Sequence, residues 1–323
     1  LVVLALCAAM PYRLWARLSW PLLGLTVAAL ILVVLPWTHS IAPEINGARR
    51  WLNIGIGLQP SEFAKIAVVV WTAALAVRKA SHFNSLSRGM MPFLVVWGVV
   101  LGLIVLQPDL STAFLIGMLG ALIVFCAGGR IAHFGFLALL ALPVLRNQLA
   151  VGFRADRLAA FLNPVSDPMG AGFQVRQSLV ALGSGGVYGV GIGEGRQKFG
   201  FLPEAHNDFI FAMIGEEWGL MGVLLLVACY GVVVLVGFRV AGRAPDLFGE
   251  LLAVGLTSLI ALQALLHMAV GLALLPATGL SLPLVSFGRS NLLVTCMALG
   301  MLMSVARASG RGGARRAGRR ARA

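Results

Sequence analysis

The chain has 323 residues and a net charge of +13, yet only 11% of it is charged and 59% is hydrophobic. Soluble domains carry roughly 25% charge, and a transmembrane β-barrel would show short alternating segments. With a mean hydropathy of +0.92 and apolar runs near the ~20 residues that cross a bilayer, the sequence predicts an all-α, polytopic transmembrane helix bundle.

In chain order, "LVVLALCAAM" reads as half a span, the cut end of a helix. It has no basic n-region or cleavage site of a signal peptide. Full spans are expected over residues 21–36, 62–77, 91–106, 111–127, 131–149, 208–238, 248–275 and 291–305. They make one transmembrane domain of residues 1–306, with a long outer segment at about 150–207. Residues 307–323 hold seven of the 25 Lys plus Arg and read as a disordered basic cytoplasmic tail on anionic membrane lipid. The charge therefore does not call for nucleic acid. Cys7, Cys126, Cys229 and Cys296 lie in apolar runs without metal-ligand spacing and read as small core residues.

The loops fall on alternating sides. One side gathers Arg13, Arg17, Arg78, Lys79, Arg88, Arg130, Arg239, Arg243 and the tail, so the positive-inside rule makes it, with the C-terminus, cytoplasmic. Ten of the 12 acids lie on the other side or in helices opening from it. Acids tolerate translocation better than basic residues, but that bias does not explain acids at helix mouths.

In "QPSEFAK", Glu62 and Lys65 are spaced i, i+3 and can pair on one helix face. Ionisable groups in a span usually face a cavity or one another, so the pair is either structural or part of a site. The outer segment carries seven glycines between Gly183 and Gly195. No GK[ST] follows, which excludes a P-loop; glycine here lets backbone approach a ligand or another helix. In "PEAHNDF", Glu204, His206 and Asp208 would share one face of an extended chain. They could hold a divalent ion, Asp208 could act as a base beside His206, or Asp208 could cap a helix beginning at Phe209. Glu216 and Glu217 lie about 80° and 180° round the helix from 208, so a structural role suits them better. Arg49, Arg50, Arg154, Arg157, Arg176, Arg196 and Lys198 run against the positive-inside trend; arginine forks suit diphosphate, and headgroup contacts are the alternative. Gly215, Gly219 and Gly222 form a small-residue face suited to helix docking.

Taken together, "NGARRWL…LQPSEFAK", "QPDLSTA", "FLNPVSDPMGAGFQVRQSLVALGSGG", "GRQKFGFLPEAHNDFIFAMIGEEWG" and "LLPATGLSLPLVSFGRS" resemble the SEDS family, whose branches are FtsW, RodA and a sporulation homologue. The resemblance runs from about residue 10 to 306. The third and fourth stretches look closer to FtsW than to RodA, whereas "PATG" leans the other way. Members have ten spans, so the first span and part of the second are expected to be missing. Departures are Asn207 for Thr, Ser111 for Gly, Arg289 for Gly and His267 for Asn.

The resemblance implies a peptidoglycan glycosyltransferase that polymerises lipid II at the outer face of the bacterial plasma membrane. It implies FtsW-like septal synthesis, with RodA-like elongation as the alternative. By motif position the family's essential aspartate matches Asp208, and its glutamate and lysine match Glu62 and Lys65. The substrate-binding set expected on this basis adds Arg50, Arg154, Arg157, Gln177, Ser178, Lys198, Glu204, His206 and Ser286. A divalent cation (Mg²⁺ or Mn²⁺) could sit at Asp208. Expected partners are a class B penicillin-binding protein transpeptidase and other division or elongation complex proteins. Two rivals of another class are a lipid II flippase, which should show a polar path and inverted repeats, and a noncatalytic division scaffold, which would not need Asp208.

Overall fold

The computed structural model of the protein describes residues 1–44, 47–83, 85–163 and 170–320. It is helical almost throughout. The helices are α1 (Val2–Ala9), α2 (Tyr12–Val34), α3 (Pro60–Lys79), α4 (Met91–Leu106), α5 (Leu110–Cys126), α6 (Ile131–Leu149), α7 (Gly152–Leu162), α8 (Ala171–Gly185), α9 (Ile210–Gly242), α10 (Leu247–Gly271) and α11 (Arg289–Arg320). Each of the eight expected spans falls on a helix. Six helical stretches are long and apolar enough to cross a membrane, among them α2, α9 and α10, while α5 and the apolar part of α6 are shorter. This is a multi-pass membrane architecture.

Several boundaries differ from the sequence reading. Helix α2 begins at Tyr12 and contains Pro21, so Arg13 and Arg17 lie on a helix and not in a loop. Two further helices, α7 and α8, form within the outer segment. A two-stranded antiparallel hairpin, β1 (Leu52–Ile54) and β2 (Ile56–Leu58), pairs Leu52 with Leu58. It turns at Gly55, whose φ of 76° is the left-handed conformation that glycine adopts freely. Helix α11 runs from Arg289 to Arg320. Residues 164–169 of the "FLNPVSDPMG" motif lie outside the described residues.

Two compact units make up the chain. The first comprises residues 1–135, 233–260 and 289–323, and the second 136–232 and 261–288.

In the first unit, α3 is the central element and packs against α2, α4, α5 and α11. Its buried face includes Trp71, Val69 and Val70, and Trp71 stands edge-on to Phe93 of α4. Small residues set the closest approaches. A Cβ on Gly255 of α10 would stand 2.7 Å from Val69 of α3 and 2.8 Å from Ile123 of α5. On Gly300 of α11 it would stand 2.5 Å from the Leu4 carbonyl of α1. Such close helix contacts are how bundles pack where lipid supplies no hydrophobic drive.

In the second unit, α7 packs on α8. A core of Leu202, Ala205, Phe209, Met213 and Val270 joins the chain before α9 to the end of α10.

Candidate functional site

Two polar clusters stand out, one in each unit. The first is built at the start of α3. Gln59 is the N-cap residue and Pro60 opens the helix, where its missing N–H costs nothing. Glu62 falls in the first turn, favourable for the helix dipole. Lys65 follows one turn later, fully buried, with Nζ 2.7 Å from Glu62 Oε1. The i, i+3 pair is thus formed, and the second carboxylate oxygen, Oε2, is buried without a hydrogen-bond partner.

Beside it, three motifs converge on Asp109 of "QPDLS", a residue the sequence reading passed over. Its Oδ1 accepts from Thr112 N at 3.2 Å as the N-cap of α5. Its Oδ2 accepts from Ser61 Oγ at 3.2 Å and Gln59 Nε2 at 3.3 Å. Ser290 Oγ accepts from Gln59 N at 3.0 Å. Asp109 could have been found as an N-cap residue, aspartate just before an apolar helix. Arg50 donates to the carbonyls of Gln107 (3.0 Å) and Pro108 (2.7 Å), and so braces the chain that carries Asp109. Arg49 likewise donates to the Leu35 and Ala42 carbonyls.

The second cluster surrounds Asp208. The chain from 202 to 209 is a series of turns anchored by the buried Leu202, Ala205 and Phe209. Glu204 sits at φ 52°, and its carbonyl accepts from both Asn207 N and Asp208 N at 3.0 Å. The backbone is therefore a tight turn, not extended. The argument that placed Glu204, His206 and Asp208 on one extended face fails, and no group of three or more His, Cys, Asp or Glu gathers among the described residues. The Phe209 carbonyl accepts from Ala212 N and Met213 N, so Phe209 takes the N-cap place of α9 and Asp208 lies one residue outside it.

The loop between α10 and α11 closes over this turn. Ser286 Oγ donates to the Asn207 carbonyl at 2.7 Å and accepts from Leu282 N at 2.7 Å. Ser281 Oγ donates to Asn207 Oδ1 at 3.0 Å, and Phe287 N donates to the His206 carbonyl at 3.1 Å. Gly279, at φ 71°, comes so close that a Cβ there would lie 3.7 Å from Asp208 Oδ2. Arg157 of α7 reaches the same loop, with Nη1 3.3 Å from the Ala277 carbonyl. The structure therefore brings Asp208, His206, Ser286 and Arg157 to one loop system, with Asn207, Gly279 and Ser281 as members the sequence reading had not singled out. Their shared signal was membership in the "PATGLSLPLVSF" and "PEAHND" stretches.

Other expected residues are used differently. Ser178 is buried and donates to the Gly271 carbonyl at 2.7 Å, tying α8 to the end of α10. Gln177 is half-buried beside it on α8. Arg154, largely buried, donates to Gln148 through both the backbone carbonyl and the side-chain oxygen. Lys198 pairs with Glu217 Oε1 at 2.8 Å.

Glu216 is buried. It accepts from Arg196 N at 2.8 Å and from Gln197 N at 3.3 Å. Both glutamates thus hold the glycine-rich segment, a structural role. The face of Gly215 and Gly219 is not open for a partner helix, as its spacing had suggested. A Cβ on Gly215 would stand 2.3 Å from Leu182, and one on Gly219 2.4 Å from the Gly189 backbone nitrogen. The chain's own segment covers that face, and a Cβ on Gly222 would meet Trp218 at 2.2 Å.

Residues 1–311 match the family described as Cell cycle protein, FtsW/RodA/SpoVE. The chain is 40% identical over 296 residues to a protein of Trichlorobacter lovleyi named probable peptidoglycan glycosyltransferase FtsW, covering 91% of this chain and 77% of that one. Its fold matches a chain from a peptidoglycan synthase complex that coordinates polymerization and crosslinking, with a TM-score of 0.76 and 29% identity over 95% of this chain and 85% of that one. It also matches the rod shape determining protein RodA of Thermus thermophilus, with a TM-score of 0.68 and 27% identity over 95% and 83%. With its described motifs in family order and a match over nearly its whole length, the chain belongs to the FtsW/RodA/SpoVE family of cell cycle proteins.

Proposed function

We propose that the protein is a peptidoglycan glycosyltransferase that polymerises lipid II into glycan strands at the outer face of the bacterial plasma membrane, serving septal synthesis as an FtsW-like enzyme. The observation that carries this reading is the loop closed over residues 206–208, which sets Asp208 beside the chain to which Arg157 is tied. The relative named FtsW at 40% identity favours the septal role over elongation.

In this reading, Asp208 takes the proton from the acceptor sugar hydroxyl as its oxygen attacks the anomeric carbon of the lipid-linked donor. A new carbon–oxygen bond forms. The bond from that carbon to the diphosphate breaks, and the lipid diphosphate leaves with the electron pair. Arg157, exposed and reaching the Ala277 carbonyl, suits that developing charge. Gly279, at φ 71°, turns the chain beside the Asp208 carboxylate, and Ser286 and Ser281 hold the turn that presents it.

Mg²⁺ is usually held by one or two carboxylates together with substrate phosphates. Asp208 beside a bound diphosphate would fit that donor set, and the ion would supply charge neutralisation to the leaving group. Glu62 and Lys65, a buried pair in the first turns of α3, are proposed as part of the substrate-binding machinery. A class B penicillin-binding protein transpeptidase is the proposed partner, by analogy with the matching synthase complex. The arginine-rich side, with the C-terminus, is proposed as cytoplasmic.

The test is glycan polymer formation by purified protein from lipid II, comparing wild type with Asp208→Asn. Asparagine matches aspartate in size and in helix-capping ability but cannot take a proton. The expected loss is ~10²–10⁴ in rate with an unchanged melting temperature. Near wild-type polymerisation would refute the role given to Asp208. Titrating Mg²⁺ and Mn²⁺ separates base from ligand, since rescue at high metal favours the ligand.

A further inference from the structure

Helix α9 is broken. Gly219 has φ 63° and ψ −159° inside it, a region essentially closed to other residues. A break in a span frees backbone groups that lipid cannot satisfy. Here the glycine-rich segment after α8 satisfies them. Leu220 N donates to the Gly186 carbonyl at 3.0 Å and Met221 N to the Val187 carbonyl at 3.2 Å. In return, Val190 N donates to the Glu216 carbonyl at 3.0 Å and Gly191 N to the Glu217 carbonyl at 3.2 Å. Glycines at 185, 189 and 219 make the approach possible. A Cβ on Gly185 would lie 1.9 Å from the Gly215 carbonyl, and one on Gly189 2.1 Å from that of Glu217.

The height of this splice follows from α9 itself. Large apolar side chains are exposed on α9 only from Trp218 to Phe238, a rise of about 30 Å. The lipid-facing part of the helix therefore begins at Trp218, and the segment 186–191 is hydrogen-bonded to α9 at that level.

The segment is apolar where it is exposed, with Tyr188 at 82% and Ile192 at 77%. Tyr188, Ile192, Trp218, Met221 and Leu225 line a groove of about 320 Å³ with Glu217 at its edge. Lys198 neutralises Glu217 on the polar side. Aromatic residues at such a boundary sit at headgroup level.

We propose that residues 186–192 form an interfacial hook, a non-helical segment set in the headgroup–acyl boundary of the leaflet, with Tyr188 and Ile192 in contact with lipid. The hook is spliced to α9 and carries on, through the chain held by Glu216 and Glu217, to the turn bearing Asp208. It thereby ties that turn to the membrane boundary. The occupant is membrane lipid: the exposed side chains are continuous with the lipid-facing stretch of α9, and the backbone exchange leaves those polar groups without need of water.

The experiment uses the chain reconstituted in phosphatidylethanolamine–phosphatidylglycerol nanodiscs. Cysteine replaces Tyr188 or Ile192 (Tyr188→Cys, Ile192→Cys) after the four native cysteines are changed to alanine, and a bimane label is attached. Leu225→Cys serves as the lipid-facing reference and Ser81→Cys as the water-facing one. The expected result is blue-shifted emission at 188 and 192, quenched more by lipid spin labels near the headgroup than by those deep in the acyl chain, and little by aqueous iodide. Iodide quenching equal to that of Ser81→Cys would overturn the proposal, and so would shielding from both quenchers, the sign of a protein partner or second copy covering the segment. If the cysteine-free background does not fold, photoactivatable phospholipid on the unsubstituted chain decides. Labelled peptides covering 186–192 support the hook, and their absence while α9 peptides are labelled overturns it.

Discussion

Glu216→Ala should release the segment that leads to Asp208. The buried carboxylate accepts two backbone N–H groups, from Arg196 at 2.8 Å and from Gln197 at 3.3 Å. A hydrogen bond to a charged group contributes about 1.5–3 kcal/mol. Counting the long second bond at less than the first, the local loss is about 2–4 kcal/mol. At 1.4 kcal/mol per tenfold, the population of the opened segment should rise ~30- to 700-fold, and cleavage rises with it when closing outruns proteolysis. Trypsin reads this directly, because Arg196 and Lys198 are its cleavage sites and lie in the held segment. Glu216→Gln keeps an acceptor oxygen without the charge and should fall between alanine and wild type. The assay is the rate of trypsin cleavage after residues 196 and 198 in nanodiscs, with the melting temperature as control. Equal rates in wild type and Glu216→Ala would refute the argument that this carboxylate holds the segment.

Three more predictions follow from the packing. Lys65→Met should lower stability by about 3–5 kcal/mol, because it leaves Glu62 charged and buried; the double variant with Glu62→Gln should melt higher than Lys65→Met alone. Gly219→Ala should cost about 1–3 kcal/mol from backbone strain alone, with a further loss because its Cβ would meet the Gly189 nitrogen at 2.4 Å; the readout is faster proteolysis between 186 and 198. Arg157→Ala should weaken lipid II polymerisation with little change in melting temperature, since the side chain is exposed and its bond to the Ala277 carbonyl is a long 3.3 Å; Arg157→Lys should restore only part, lacking the fork that matches a diphosphate.

Hydropathy alone made the eight spans legible, because lipid demands long apolar runs. The Glu62–Lys65 pair was legible for a similar reason, as i, i+3 spacing is a local rule that a regular helix enforces. What stayed hidden was non-local or averaged away. The break at Gly219 disappears in a window of apolar residues, and nothing within α9 says that its freed groups will be met by chain some thirty residues earlier. The contact of Ser286 with Asn207 crosses a separation of 79 residues. Helices α7 and α8 are too short to show as apolar spans, although the Ala, Leu and Arg of "FRADRLAAFL" are good helix formers. The extended reading of Glu204, His206 and Asp208 failed because a left-handed residue at Glu204 folds the chain back.

The four acids at the mouth of α9 divide by height and by duty. Glu216 and Glu217 lie at the level of the splice and hold the glycine-rich segment through backbone and Lys198 contacts. Glu204 shapes the turn with its carbonyl and leaves its side chain exposed. Asp208 stands where the loop of Ser281 and Ser286 closes, with glycine opposite its carboxylate. Glu216 is covered by the backbone groups it holds, whereas Asp208 is half-buried in a turn closed by the loop before α11, the place proposed for meeting a sugar hydroxyl. The same logic makes the two duties separable by mutation. Loss of Glu216 should open the segment to trypsin, whereas loss of the Asp208 charge should move only the chemistry.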